Sequence, residues 1–165
     1  MDVRSLGYVV IDSADPSAWL EYGTNILGMM VAPNMPDDGN VYLKMDERPF
    51  RFCIRKAEAD KLACTAFELA DHETFEDTKT ILEQEGIAFE EASAEQAASR
   101  KVKGFISVTD PSGNNLELYW GADLDYAKFI SPKGIAGFET GFNGDMGFGH
   151  AVLPAPNLEE THAFY

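Results

Sequence analysis

Three histidines, His72, His150 and His162, are the side chains best suited to metal or proton chemistry, and they are too few for a histidine-rich metal cage within this segment. Imidazole is the commonest protein ligand for metals, so each histidine is weighed by its setting. His72 stands at a helix start between Asp71 and Glu73, where solvation is the natural reading. His162 falls inside the helical run 157–165, where packing or exposure suffices. His150 differs, because it sits in Gly147-Phe148-Gly149-His150-Ala151-Val152-Leu153, a stretch that reads as a strand. Alternation along that strand would send Val152 to the same face as His150. Taken alone, a strand histidine is more often a hydrogen-bonded core or surface residue than a ligand.

The elements that would position His150 recur along the chain. Leu6-Gly7-Tyr8-Val9-Val10-Ile11, followed by the helical text Asp15-Pro16-Ser17-Ala18-Trp19, has the same order as the run around His150 and the helix after it. Laying Gly7 on Gly149 gives an offset of 142 residues and puts His150 on Tyr8. No Gly, Asn or basic last turn closes the helix over 157–165. The chain therefore reads as the front part of a longer, duplicated protein. Between these points, 5–11, 41–46 and 50–55 are expected strands, with a helix capped by Asp15 and ended near Gly28. A second round has strands at 62–69, 102–110 and 116–120, with a helix capped by Asp71 and ended at Gly86. Phe50, Phe52 and Ile54 are expected on one face of their strand, with Arg51, Cys53 and Arg55 on the other. Residues 90–101 read as a polar connection, and 130–149 as a proline- and glycine-rich one. The fold class is α+β, built from repeated units at 5–58 and 62–121.

Composition excludes several kinds of partner. The formal charge of −15, with no basic stripe, disfavours nucleic acid and anionic membranes. Eleven Phe, six Tyr and two Trp supply enough apolar area for a packed core. Cys53 and Cys64 lie in apolar runs and read as buried free thiols. No leader peptide and no run long enough to span a bilayer is legible, which points to a reduced, cytoplasmic setting.

These motifs, in this order, resemble the N-terminal portion of type I extradiol ring-cleaving dioxygenases, in the vicinal oxygen chelate superfamily; enzymes acting on 2,3-dihydroxybiphenyl look closest. The likeness runs through Ser5-Leu6-Gly7-Tyr8, Leu27-Gly28-Met29 and Phe67-Glu68-Leu69-Ala70-Asp71. It continues through Asp110-Pro111-Ser112-Gly113-Asn114-Asn115-Leu116-Glu117-Leu118-Tyr119-Trp120-Gly121 to Gly147-Phe148-Gly149-His150-Ala151-Val152. The resemblance implies two similar domains, each of two βαβββ modules, with iron held only in the C-terminal one. Residues 1–135 would then be a non-catalytic N-terminal domain, 136–145 a linker, and 146–165 the start of a truncated catalytic domain.

By the same resemblance, His150 would be the first of three ligands to Fe(II), the others lying beyond residue 165, and Val152 would line the substrate pocket. Tyr8 and Glu117 would mark a degenerate, metal-free counterpart in the N-terminal half. No catalytic residue and no tight metal binding are expected within this segment, which alone should be inactive. The full-length protein is expected to open a substituted catechol with O2 in aromatic catabolism, as a homo-oligomer; Mn(II) remains an alternative to Fe(II). A metal-free small-molecule binding protein of the same fold is the competing reading, and a metal-dependent isomerase or lyase of the superfamily a third.

Overall fold

The structure is a computed structural model that describes residues 2–138 and 148–165. The chain divides into two compact units. The first is Gly7–Ala63 with the described part of Asp123–Gly149; the second is the described part of Met1–Leu6 with Cys64–Ala122 and His150–Tyr165.

In the first unit, β1 (Val3–Ser13, which begins in the second unit) runs into α1 (Pro16–Glu21). The Asp15 carboxylate caps that helix by accepting from the Ser17 and Ala18 amides, and Pro16 takes the first helical position. At Tyr22 the helix widens into a π-helical turn, Tyr22–Ile26, in which the Leu27 amide reaches back to the Tyr22 carbonyl. Gly23 lets Leu43 pack closely against this turn, since a Cβ there would lie 2.3 Å from Leu43 Cδ1. Gly28, at φ +75°, ends the helical path. Three strands come next: β2 (Met30–Val31), β3 (Val41–Lys44) and β4 (Phe52–Lys56). Their order is β2-β3-β4-β1, with β4 parallel to β1 and the other pairs antiparallel. The core gathers Met29, Leu43 and Ile54 under Trp19 and Leu20.

The second unit repeats this plan. β5 (Lys61–Leu69) leads to α2 (His72–Gln84), capped by Asp71 through the Thr74 amide. Phe75, Thr78 and Leu82 form the buried stripe of α2, and Gly86, at φ +68°, closes it. After it come β6 (Phe89–Glu91), α3 (Ala94–Ser99), β7 (Gly104–Thr109) and β8 (Asn115–Trp120). The order is β5-β8-β7-β6, with β8 parallel to β5 and the other pairs antiparallel. Each unit is thus a βαβββ module whose first and last strands are parallel neighbours. A final helix, α4 (Leu158–Phe164), lays Phe164 on the core of Leu69, Phe75, Leu82 and Ile106.

Several expectations need correction. The span 90–101 contains β6 residues and α3, which is held by a reciprocal box in which Ser93 caps the Gln96 amide and Gln96 answers the Ser93 amide. Arg51 is buried, and Asp46 neutralises it there. The expected linker 136–145 lies mostly outside the described residues, as does Gly147. The two cysteines are buried and form no disulfide, Cys53 in the first unit and Cys64 in the second. Among the described residues no helix is long and apolar enough to cross a membrane.

Candidate functional site

His150 is exposed and lies in no strand, which corrects the reading of 147–153 as one. A strand needs a ladder partner, and none is formed there among the described residues; Pro154 and Pro156 also remove two amide donors. Val152 is 82% exposed, so alternation across a sheet does not pair it with His150 here.

The segment after His150 is held by the turn Asp110–Asn114. Asn114 Nδ2 donates to the Pro154 carbonyl at 2.9 Å, and Asn157 Nδ2 to the Pro111 carbonyl at 2.8 Å. Ser112 Oγ lies 2.7 Å from Thr161 Oγ1 and accepts the Asn157 amide at 3.2 Å. At the centre, Asp110 accepts from the Ser112 and Asn114 amides, from Asn114 Nδ2 and from the Tyr165 hydroxyl. Burial alone would raise the Asp110 carboxyl; the hydrogen bonds, those from Asn114 foremost, hold it below the usual carboxylate range. Burial and the facing Asp110 carboxylate together push the Tyr165 phenol up.

The segment before His150 is held in the first unit. The Phe148 ring lies 5.3 Å from that of Phe52, edge to face, and 5.5 Å from the Arg51 guanidinium carbon.

Tyr8 and Glu117 are both buried. Tyr8 packs its ring 5.1 Å from Phe50. Glu117, on β8, is gripped by two parallel bonds from Arg100, Nε to Oε2 and Nη2 to Oε1, each 3.1 Å. On the neighbouring β5, Glu68 lies 3.5 Å from the Tyr119 hydroxyl. Arg100 was not foreseen from the sequence; its only signal is its place just after α3. His72 sits exposed at the start of α2, 4.7 Å from the Trp120 ring, and His162 is exposed in the last turn of α4. A hollow of about 270 Å³ between Trp19, Tyr22, Asp15 and Asp60 contains none of the expected site residues.

The family model described as "Dihydroxybiphenyl dioxygenase BphC D1" matches residues 6–56. Over its whole length the chain is 39% identical to an "Iron-dependent extradiol dioxygenase" of Rhodococcus jostii, covering 53% of that protein. It is 34% identical, again over its whole length, to a "3-methylcatechol 2,3-dioxygenase" of Pseudomonas putida, covering 55%. A crystal structure of a catechol 2,3-dioxygenase superposes on 99% of the chain with a TM-score of 0.90 at 31% identity, covering 54% of that chain. The chain resembles the extradiol dioxygenase family along its whole length. It spans about half the length of the curated relatives it matches, and its α+β architecture of paired βαβββ modules is the vicinal oxygen chelate fold of that family.

One extradiol dioxygenase relative is named for its iron, which sets a test for the donor atoms in hand. Among the described residues no three of His, Cys, Asp and Glu come together to hold a metal. His150 offers one exposed imidazole, a donor that suits ferrous iron, but a single ligand makes no site. At Glu117 the carboxylate is already committed to a guanidinium. The described residues therefore do not form an iron site, and no step of ring cleavage is assigned to them.

Proposed function

We propose that this chain is the N-terminal portion of an iron-dependent extradiol dioxygenase that opens a substituted catechol beside its two hydroxyls, with O2, in the catabolism of aromatic compounds. The observation that carries this is the match along the entire chain, in sequence and fold, to about half of proteins bearing that name. Residues 1–135 form its non-catalytic domain, 136–145 a linker and 146–165 the opening of the catalytic domain. His150 is then one of three ligands to ferrous iron, and Val152 lines the pocket beside the ring. In the whole protein, ferrous iron would let catechol and dioxygen bind one metal side by side. Tyr8 and Glu117 belong to a half that carries no metal; the Arg100–Glu117 pair supports this, since the guanidinium supplies the positive charge the carboxylate needs. Manganese could replace iron with such ligands. The protein works in the cytoplasm as a homo-oligomer.

The test uses the protein encoded by the whole gene. Supplied with ferrous iron and 2,3-dihydroxybiphenyl, it should consume oxygen and form the yellow ring-opened product, and His150→Ala should abolish both. The 165-residue chain alone should do neither. A gene-length protein that binds the catechol without taking up oxygen would overturn the dioxygenase reading in favour of a metal-free binding protein of this fold.

A further inference from the structure

Arg51 is fastened from every side. Its Nε donates to both oxygens of Asp46, at 3.1 and 2.8 Å, and its Nη2 to Asp46 Oδ2 at 2.5 Å. Its Nη1 donates to the Gly7 carbonyl on β1 at 2.6 Å. Its backbone is stitched as well, the amide to the Leu43 carbonyl at 2.8 Å and the carbonyl to the Val9 amide at 2.9 Å. A planar cation fixed in this way has no freedom to follow a moving partner. Yet Asp46 already neutralises it, so the ion pair does not explain why Phe148 lies over the guanidinium, 5.5 Å from its carbon to the ring centroid. Phe52, the next residue, meets the same ring edge to face at 5.3 Å. Two successive residues of the first unit thus hold one aromatic side chain that precedes His150 by two positions.

The rest of the connection is tied to the same unit. Lys44, fully buried, spends its ammonium on Asp125 Oδ2 at 2.6 Å and on the Asp125 and Ala127 carbonyls. Ser131 Oγ donates to the Gly28 carbonyl at 2.7 Å. The described part of the path toward His150 is therefore laid on the first unit rather than strung past it.

We infer that Arg51 and Phe52 are positioning residues for His150: by clamping Phe148 they fix the backbone two residues before it. The inference rests on the reading of His150 as a residue of the reacting centre, and its test separates the two. Neither Arg51 nor Phe52 touches a reacting atom; their action passes through Phe148.

The first measurement is limited chymotrypsin digestion of the 165-residue chain, read by mass spectrometry. Cleavage after Phe148 should be slow beside cleavage after Tyr126, which is 89% exposed in the same unit. Phe52→Leu should speed the Phe148 cut about fivefold or more and leave the Tyr126 cut unchanged, the mark of a local rather than a global opening. An unprotected Phe148 in the unaltered chain, or no change in Phe52→Leu, overturns the clamp. The second measurement uses the gene-length enzyme. Phe148→Ala should lower kcat about tenfold or more, since small misplacements near reacting groups are costly, and leave KM for the catechol within about twofold. Phe148→Tyr should restore kcat. An unaltered kcat in Phe148→Ala overturns the inference, including the case in which Phe52→Leu does not fold. A gene-length protein without ring-opening activity would sink the function reading alone, and the digestion would still judge the clamp.

Discussion

The two units share one strand order but close their charges differently. In the second unit the buried Glu117 is answered by Arg100, seventeen residues earlier in the same module. In the first, the buried Lys44 is answered only after the second module is complete, by Asp125, eighty-one residues later. Their helices differ in the same sense. α2 runs thirteen residues with a continuous buried stripe, whereas α1 runs six and then widens around Gly23. One module answers its buried carboxylate from within; the other answers its buried ammonium from a later stretch of the chain. A duplicated fold thus keeps its topology while its electrostatics are redistributed along the chain.

The sharpest way to break this contrast is Asp125→Ala. It removes the carboxylate that neutralises a fully buried ammonium and should cost about 3–5 kcal/mol in urea unfolding. A cost under about 1 kcal/mol would mean that the first unit does not depend on the connection. Next in size is Leu82→Ala, which should remove about 3 kcal/mol by opening a cavity in the α2 core. Because that core is local to the second unit, the loss should leave amide protection in β3 and β4 largely intact. Gly23→Ala should cost about 1–3 kcal/mol, since the new methyl group meets Leu43, and Leu43→Ala in the same chain should recover part of it in a double-mutant cycle.

The smallest effect is the acid response. Asp125 and Asp110 both have folded carboxyls below the ordinary range: burial opposes ionisation, but hydrogen bonds, from Lys44 and from Asn114 respectively, outweigh it. A depressed folded pKa contributes stability that is fully present above the unfolded value of about 3.9 and is lost as pH falls through the folded value. Stability should therefore decline below about pH 4, and Asp110→Asn should flatten only the part carried by the second unit. A decline unchanged in that variant would show that the Asp110 turn plays no part in it.

Much of the fold was legible because local signals agreed with it. Asp15-Pro16, Asp71 and Gly86 cap their helices as their chemistry requires, and the β-branched runs became strands. α3 was missed although Ser93 and Gln96 form a capping box, because the polar residues around it hid a six-residue helix. The π-helical turn was not legible, and neither was the close packing of Leu43 on Gly23 within it. Alternation placed Arg51 on a face but gave no sign of its burial, which depends on Asp46 beside it. The candidate site was the least legible. Repetition paired His150 with Tyr8, and the family resemblance added Val152 and Glu117, but strand pairing, which depends on partners elsewhere, decides whether 150 and 152 share a face.

The placement of the thiols has a practical consequence. Each unit contains one cysteine, and each is sealed in its own core: Cys53 on β4 and Cys64 on β5. A sealed thiol reacts with an alkylating reagent only when its surroundings open. Two peptides released from one alkylated sample would therefore time the breathing of two modules separately, with no label introduced and no residue changed.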